Sequence, residues 1–432
     1  MHNYNEVIEY LYARLPMFTR DGASAYKKDL DNTLALLHAL GNPQDKFKSI
    51  HIAGTNGKGS SSHMLASIFA EAGYKTALYT SPHLLDFRER IRINGQMVDE
   101  QFVIDFVNNL HALIEEIQPS FFEVTVAMAF DYFAKQHVDI AIIEVGLGGR
   151  LDSTNVIMPL ASLITNIGFD HMNMLGDTLP AIASEKAGII KKDTPVVVSE
   201  YHKDTAPVFL EKAKLENAAL EFASDKLQSE IKAINEDHLQ IEVKDKEGHI
   251  EQYELDLKGT YQSKNILGVL RIVDHMRTRG YDLSQDDVKN GLRKVQSFTG
   301  LQGRWQTLSK KPFIICDTGH NEDGIREVLK NLANTNYRQL HFVIGAMKDK
   351  DLGHMLPLLP TDAIYYFSNP DMPRAMPSEE LAAEAHLLGL KGNAYGPVVK
   401  AFEAAKKQYQ DGDLIFIGGS NFVVSEVLAA IN

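Results

Sequence analysis

The stretch His51-Ile-Ala-Gly-Thr-Asn-Gly-Lys-Gly-Ser-Ser61 determines how the rest of the chain is interpreted. Residues Ser49 to Ala53 are mostly apolar and rich in β-branched side chains, which predicts a strand, and Ser60 to Ala72 predict a helix that Gly73 ends. Strand, glycine-rich turn, lysine and helix form the layout of a phosphate-binding loop. Glycine lets several N–H groups point at one anion, and the helix N-terminus adds partial positive charge.

Within this loop, Asn56 to Ser60 (Asn56, Gly57, Lys58, Gly59 and Ser60) are predicted to cradle phosphate groups. Lys58 would reach the terminal phosphates, and the Ser60 hydroxyl could face a magnesium ion. The spacing departs from G-x-x-x-x-G-K-[ST], because Ile52 replaces the first glycine and the hydroxyl follows Gly59. The alternative is an ordinary glycine-rich turn with a surface lysine.

Composition restricts the class of protein. A chain of 432 residues suits two or three domains. The net charge of −13 argues against a general nucleic-acid-binding or membrane surface. A single cysteine, Cys316, excludes an internal disulfide framework and fits a reducing compartment. The polar N-terminus is unlike a secretory signal and no apolar run is long enough to span a bilayer, so we expect a cytoplasmic protein.

Strands alternating with helices predict an α/β fold with a mostly parallel sheet. An antiparallel β excursion is predicted for residues 219 to 257. Ligands of parallel sheets bind at the carboxyl ends of the strands. The phosphate loop, Ser81, Glu144 and His171 all follow or end predicted strands.

The stretch Ser297-Phe-Thr-Gly-Leu-Gln-Gly303 is predicted to be a linker, because it holds two glycines and two hydroxyl residues. Residues 1–296 would then form a P-loop ATPase-like domain. Residues 304–432 would form a smaller, Rossmann-like α/β domain without a second phosphate loop. Gly418-Gly419-Ser420 opens its last helix and could bind a carboxylate.

Six motifs carry a resemblance to a known family. They are Gly54-Thr-Asn-Gly-Lys-Gly-Ser60, Tyr79-Thr-Ser-Pro-His83, Glu144-Val-Gly-Leu-Gly-Gly149, Phe169-Asp-His171, Glu185-Lys-Ala-Gly-Ile-Ile190 and Asp317-Thr-Gly-His-Asn321. In this order, over nearly the whole chain, they resemble the folylpolyglutamate synthase family of the Mur ligase superfamily, whose bacterial members often double as dihydrofolate synthase.

The resemblance implies an ATP-dependent amide ligase. A carboxylate of a folate or of dihydropteroate would attack the γ-phosphate to give an acyl phosphate, which the amine of L-glutamate would then attack. Phosphoryl transfer needs charge neutralisation more than covalent help from the protein. The resemblance therefore also implies Mg²⁺, with two ions expected.

Metal ligands are assigned by the same resemblance to Ser81, Glu144, His171 and a carbamylated Lys186. Taken alone, Ser81 is a turn residue, His171 a structural histidine, and Lys186 a helix lysine that pairs with Glu185 or solvent. Glu144 has a physical argument of its own, because a buried carboxylate at a strand end is costly and a magnesium ion would offset that cost. Its alternative is an acid paired with a nearby base.

Nucleotide contacts implied by the resemblance are Asn265, Arg304 and Asp317. Asn265 opens a helix and is otherwise a capping residue. Arg304 follows the predicted linker and could clamp phosphates. The family pattern Asp-Gly-Ala-His-Asn is here Asp317-Thr-Gly-His-Asn321, in which both changed residues remain small.

Substrate contacts implied in the same way are His320 and Ser420 for glutamate, and Phe122 and Asp152 for the pterin. Phe122 could stack on a flat ring, although an aromatic residue at a helix start is more often part of the core. The loop Leu15–Lys28 is another candidate pterin contact. Where the family often has an aromatic hydroxyl near Ser420, this chain has Phe422.

Three alternative functions fit the sequence less well. A cell-wall Mur ligase would need an N-terminal UDP-binding domain, and too few residues precede the loop. A nucleotide-switch protein would usually show an Asn-Lys-x-Asp motif, which this sequence lacks. A degenerate ligase that only binds nucleotide is disfavoured by the apparently complete residue set. Two self-contained α/β cores make a monomer plausible.

Overall fold

A computed structural model describes residues 1–22, 27, 29–348 and 352–431. The chain divides into two units. The first comprises Met1–Asp256 and Gln262–Leu301, and the second comprises Leu257–Tyr261 and Gln302–Asn432. The predicted α/β class is confirmed in both units.

In the described part of the first unit, the main sheet has eight strands in the order β4-β3-β2-β5-β1-β6-β7-β8. The strands are β1 (Ser49–Ala53), β2 (Thr76–Tyr79), β3 (Ile91–Ile93), β4 (Gln96–Met97), β5 (Ile140–Glu144), β6 (Ala161–Ile164), β7 (Val196–Val198) and β8 (Leu220–Phe222). All neighbours from β2 to β8 pair in parallel, and only the β2–β3 and β3–β4 pairs are antiparallel. The mostly parallel sheet predicted from the alternation is confirmed.

Helices cover this sheet. They are α1 (Tyr4–Arg14), α2 (Phe18–Asp21), α3 (Asp31–Ala39), α4 (Lys58–Glu71), α5 (Glu100–Ile117), α6 (Phe121–Lys135), α7 (Met172–Leu175), α8 (Leu179–Ala187), α9 (Ala206–Leu215), α10 (Gln262–Thr278), α11 (Gln285–Arg293) and α12 (Val295–Thr299). Strands β1 and β5 are buried at every position, as expected for central strands with helices on both faces. Helix α4 is buried from Gly59 to Phe69, so the phosphate loop leads directly into a helix of the core.

The antiparallel excursion predicted for residues 219 to 257 is confirmed. Strands β9 (Leu227–Ile234), β10 (Leu239–Asp245) and β11 (Ile250–Leu255) form a separate antiparallel sheet in the order β11-β10-β9. The candidate pterin loop Leu15–Lys28 contains helix α2, and its residues 23–26 and 28 lie outside the described residues.

The second unit is a smaller α/β layer structure. Its described strands are β12 (Gln306–Lys310), β13 (Phe313–Cys316), β14 (Leu340–Gly345), β15 (Ile364–Asn369), β16 (Lys391–Pro397) and β17 (Leu414–Gly418), in the order β12-β13-β17-β14-β15-β16. Its helices are α13 (Glu322–Ala333), α14 (Leu352–Met355), α15 (Ser378–Leu387), α16 (Val398–Gln408) and α17 (Asn421–Ile431). All pairs are parallel except β12–β13.

The segment Leu257–Tyr261 belongs to the second unit although it precedes most of that unit by forty residues. Lys258 Nζ donates to Thr307 Oγ1 at 3.2 Å, and the Thr260 N–H donates to Asn331 Oδ1 at 2.8 Å. Helix α12 covers the first residues of the predicted linker at 297–303, and the domain boundaries at 296 and 304 stay a prediction.

Candidate active site

The predicted site residues of the first unit lie at one edge of its sheet. Strands β2, β5, β1 and β6 are consecutive neighbours and run parallel, so their carboxyl ends meet. Ser81 follows β2, Glu144 ends β5, the phosphate loop follows β1, and the segment leading to His171 follows β6. Parallel sheets bind their ligands at this edge.

Close packing explains the two glycines that precede Lys58. Gly57 has a φ of 86°, in the left-handed region that favours glycine. A Cβ atom at Gly57 would lie 2.3 Å from Asn265 Oδ1, and one at Gly54 would lie 1.8 Å from Thr165 Oγ1. The loop can take this path only because neither residue has a side chain.

Lys58 is the first residue of α4, and its side chain folds back over the loop. Its Nζ donates to the carbonyls of Gly54 and Thr55, at 3.0 and 3.1 Å. The first N–H groups of a helix have no intrahelical acceptor, so the amides from Lys58 to Ser60 are the part of the predicted cradle that can bind an anion. The N–H of Asn56 is already donated to Asn166 Oδ1, at 2.8 Å.

A polar chain connects this loop to α10. Ser60 is buried, and its hydroxyl accepts a hydrogen bond from Gln262 Nε2 at 3.1 Å. The Oε1 atom of Gln262 in turn accepts from Asn265 Nδ2 at 2.8 Å. Asn265 therefore lies against the phosphate loop, as a nucleotide contact requires, and its contact with ATP stays a prediction.

Of the proposed metal ligands, the structure brings Ser81 and Glu144 together. The Glu144 side chain is buried, and one of its carboxylate oxygens lies 3.4 Å from the Ser81 N–H. His171 has a φ of 51°, its Nε2 lies 3.8 Å from an Asp170 carboxylate oxygen, and its ring packs edge-on against Phe18. Carboxylate and hydroxyl oxygens are the donors that Mg²⁺ prefers, so Glu144 and Ser81 fit that ion.

The described part of the chain holds no preassembled cage of acids and histidines. Within residues 1–22, 27, 29–348 and 352–431, no group of three or more His, Cys, Asp and Glu side chains is arranged to hold a metal ion. The proposed set holds one acid and one imidazole beside a hydroxyl and a lysine. Any second anionic ligand would therefore have to come from a modified Lys186 or from the substrates.

Lys186 is buried in the described structure and donates from Nζ to the Gly54 carbonyl at 2.9 Å. Burial, together with the positive charge of Lys58, lowers the pKa of Lys186 to about 7. Glu185, with which an ordinary helix lysine at position 186 would pair, instead forms an ion pair with Arg150 at 2.8 Å. Lys186 is thus a buried amine at the phosphate loop and not a surface helix lysine.

The two proposed pterin contacts have different environments. Phe122 is half-buried, with its ring centroid 6.2 Å from that of Tyr79, and a Cβ atom at Gly146 would lie 2.4 Å from its Cζ. Asp152 is buried and holds its own loop: it accepts from the N–H groups of Leu147 and Thr154, at 2.8 and 3.0 Å. Its role as a pterin contact stays a prediction.

In the second unit, Asp317 follows β13 and is buried, and burial raises the pKa of its carboxyl group. Its Oδ2 accepts from the Tyr261 hydroxyl at 2.7 Å and from the Trp305 N–H at 2.8 Å. Arg304 donates to the Thr318 hydroxyl and, at 3.2 Å, to the Gly303 carbonyl. The Arg304 charge lowers the pKa of Asp317 and thereby opposes the effect of burial.

The proposed glutamate contacts lie at the same edge of the second sheet. His320 follows Asp317, and Ser420 follows the neighbouring strand β17 at the start of α17. Ser420 Oγ accepts from the Phe422 N–H at 3.2 Å, and His320 Nδ1 lies 3.0 Å from the Thr318 carbonyl. A helix N-terminus with a hydroxyl suits a carboxylate.

Comparisons with known proteins match this architecture. The Mur ligase middle domain matches residues 52–273, and the Mur ligase glutamate ligase domain matches residues 303–421. A dihydrofolate synthase/folylpolyglutamate synthase of Bacillus subtilis is 33% identical over 98% of each chain. The chain belongs to the folylpolyglutamate synthase/dihydrofolate synthase family.

Other members of this family agree. The folylpolyglutamate synthase of Lacticaseibacillus casei is 32% identical over 87% of each chain. Escherichia coli FolC in complex with DHPP and ADP superposes with a TM-score of 0.86 at 26% identity, covering 99% of this chain and 97% of that one. As a folylpolyglutamate synthase/dihydrofolate synthase family member, the protein is an ATP-dependent ligase. No helix in the described residues is long and apolar enough to cross a membrane.

Sequence reasoning missed the residues that hold the phosphate loop of this family member. Thr165, Asn166 and Gly168 bond to Thr55 and Asn56, and Gln262 bonds to Ser60. The position of residues 165 to 168, just after an apolar strand, was the available signal. Their contact with the phosphate loop depends on the order of the strands in the sheet, and local sequence patterns do not predict that order.

The depressed pKa of Lys186 predicts a pH dependence of folding stability. In the unfolded chain the lysine keeps its ordinary pKa of about 10.4, so between pH 7 and 10 the unfolded state binds more protons and stability rises with pH. Relative to Lys186→Met, the wild type should gain about 2 kcal/mol of unfolding free energy between pH 7 and pH 9. Urea unfolding in CO₂-free buffer measures the difference.

Lys203→Met serves as the control, because Lys203 is exposed and should give the same pH dependence as the wild type. If the wild type and Lys186→Met keep a constant difference in unfolding free energy across this pH range, Lys186 is not a neutralised buried amine.

Proposed function

We propose that the enzyme adds L-glutamate to reduced folates and also to dihydropteroate, through an acyl phosphate. One observation carries this proposal: the phosphate loop, Ser81, Glu144 and residues 165–171 (the His171 segment) lie at one edge of the sheet. Phe122 packs against the adjoining Gly146. The relatives from Bacillus subtilis and Escherichia coli are named for both synthase activities, and Escherichia coli FolC has been solved in complex with DHPP and ADP.

The chemistry needs an acceptor carboxylate to become a good acylating group. A carboxylate oxygen bonds to the γ-phosphorus and the bond to ADP breaks. The glutamate amine then bonds to the acyl carbon, phosphate leaves with its bonding electrons, and the amine loses a proton. Lys58 and the first amides of α4 would hold the phosphates and stabilise their charge as it moves.

Mg²⁺ would be held by Ser81 and Glu144, and a second ion by His171 and carbamylated Lys186. The ion supplies charge neutralisation at the transferring phosphoryl group. A buried amine with a pKa near 7 is partly neutral at physiological pH, and only a neutral amine can attack carbon dioxide, which supports the carbamate. Electron density for a plain amine in crystals grown in bicarbonate would contradict the modification.

For the second unit, we propose that Arg304 and Asp317 contact the nucleotide and that His320 and Ser420 bind the incoming glutamate. Arg304 is half-buried beside the buried Asp317, as expected for a cation held ready for a phosphate. The monomeric state and the cytoplasmic location stay predictions.

Mass spectrometry of the products tests the function. One tube contains Mg-ATP, L-glutamate and dihydropteroate, and the other contains a reduced folate monoglutamate in place of dihydropteroate. Glutamate addition in both tubes is expected. Addition to the folate alone would restrict the enzyme to polyglutamylation, and addition in neither tube, with ATP bound, would favour a nucleotide-binding protein.

A further inference from the structure

The segment Thr165–Gly168, which follows β6, is hydrogen-bonded to Thr55 and Asn56 of the phosphate loop. The Thr55 N–H donates to the Asn166 carbonyl at 2.9 Å, and the Asn56 N–H donates to the Asn166 side chain at 2.8 Å. Thr165 Oγ1 donates to the Asn56 carbonyl at 2.6 Å. The backbone of this half of the loop is therefore committed to the protein and not to phosphate.

The Thr55 side chain closes the connection. Its hydroxyl donates to the Gly168 carbonyl at 3.1 Å and accepts from the Gly168 N–H at 3.0 Å. One hydroxyl thus satisfies both backbone groups of one residue. A valine has the same shape but could make neither bond, and it would leave two partly buried backbone groups without this partner.

The position of this pair in the chain gives it a functional meaning. Thr55 lies three residues before Lys58, and Gly168 lies three residues before His171. The two hydrogen bonds therefore connect the phosphate loop, which carries Lys58, to the segment that carries the proposed metal ligand His171.

We propose that Thr55 is a positioning residue that fixes the phosphate loop to the His171 segment, so that Lys58 and the metal ligand stay in register. The proposal rests on the function proposed above. Thr55 touches neither phosphate nor metal in this scheme. Its loss should therefore disturb alignment, which affects the rate of the chemical step, more than it disturbs binding of ATP.

Steady-state kinetics and metal binding of Thr55→Val test the proposal. We expect kcat to fall about 10- to 100-fold, as for a misplacement of about 1 Å, while the KM for ATP changes less than about threefold. The concentration of Mn²⁺ that half-saturates the protein without substrates, followed by electron paramagnetic resonance, should rise at least about threefold because the His171 segment is no longer fixed.

Two variants make the result specific. Thr55→Ser keeps the hydroxyl and should stay within about threefold of the wild type in both measurements. Thr278→Val removes an equivalent hydroxyl, bonded to the His275 carbonyl at the end of α10, and should change neither. If thermal melting shows that Thr55→Val does not fold, Thr55→Ala, which also removes the hydroxyl bonded to Gly168, is measured in its place with the same expectation.

The proposal is overturned if Thr55→Val keeps wild-type kcat and Mn²⁺ binding, or if Thr55→Ser loses as much as Thr55→Val, because the hydroxyl would then not matter. A wild type that adds no glutamate to any acceptor refutes the proposed function instead. The Mn²⁺ comparison would still decide whether Thr55 fixes the His171 segment.

Discussion

Replacing Lys58 with alanine is expected to lower kcat about 1000-fold, the range found when a cation or donor is removed from a transferring phosphoryl or acyl group. Lys58 begins α4 and is held over the loop by the carbonyls of Gly54 and Thr55. Among the described helices, α4 is the one that begins with a lysine. Formation of ADP that depends on the folate acceptor measures the effect.

Lys203→Ala is the matched control, because Lys203 is exposed and should keep wild-type activity. Lys58→Arg should recover only a minor part of the rate. A guanidinium keeps the charge but is planar and broader than an ammonium group, so it should not reproduce both bonds of Lys58 Nζ to the Gly54 and Thr55 carbonyls. A Lys58→Ala enzyme that retains more than about a tenth of wild-type kcat would remove Lys58 from phosphoryl transfer.

Replacing Glu144 with glutamine should have opposite effects on activity and on stability. Activity should fall at least about 1000-fold and the Mg²⁺ requirement should rise, because the carboxylate is the one acidic ligand of the proposed set. Without metal, the free energy of unfolding in EDTA should stay the same or rise by about 1 kcal/mol, because a buried charge is removed and the amide oxygen can still accept from Ser81.

Glu123→Gln provides a buried glutamate for comparison. Glu123 caps helix α6 by accepting from the Ser120 N–H at 2.6 Å. Because a glutamine can close the same capping box, Glu123→Gln should leave both the stability and the Mg²⁺ requirement close to those of the wild type. If Glu144→Gln likewise leaves the Mg²⁺ requirement unchanged, Glu144 is a structural acid and not a metal ligand. Thermal melting in EDTA and a Mg²⁺ titration of activity separate the two cases.

The elements that could be predicted from the sequence are those whose local pattern has one solution. The unbroken apolar run at Ile140–Glu144 and the strand, loop and helix around Lys58 appear where predicted, because burial on both faces and a glycine turn are local properties. The prediction that β1, β2, β5 and β6 end at the same edge of the sheet also holds, because parallel neighbouring strands share a carboxyl edge.

Other features depend on partners far along the chain. Strand β16, with the sequence Lys391-Gly-Asn-Ala-Tyr-Gly-Pro397, looks like a turn and is extended only because it pairs with β15. The hydrogen bond from the Asn56 amide to the Asn166 side chain is a tertiary contact as well. Local propensity contains no information about such pairs.

The early placement of Leu257–Tyr261 in the second unit limits how the protein can be dissected. A fragment that begins at Gln302 would lack the Tyr261 hydroxyl that bonds Asp317, the Thr260 amide that bonds Asn331, and the Lys258 ammonium that bonds Thr307. Asp317 is buried, so in the fragment its carboxyl group would either become exposed to solvent or stay buried without the Tyr261 hydrogen bond. Expression of the second unit by itself therefore calls for a fragment in which a linker joins Leu257–Tyr261 to Gln302.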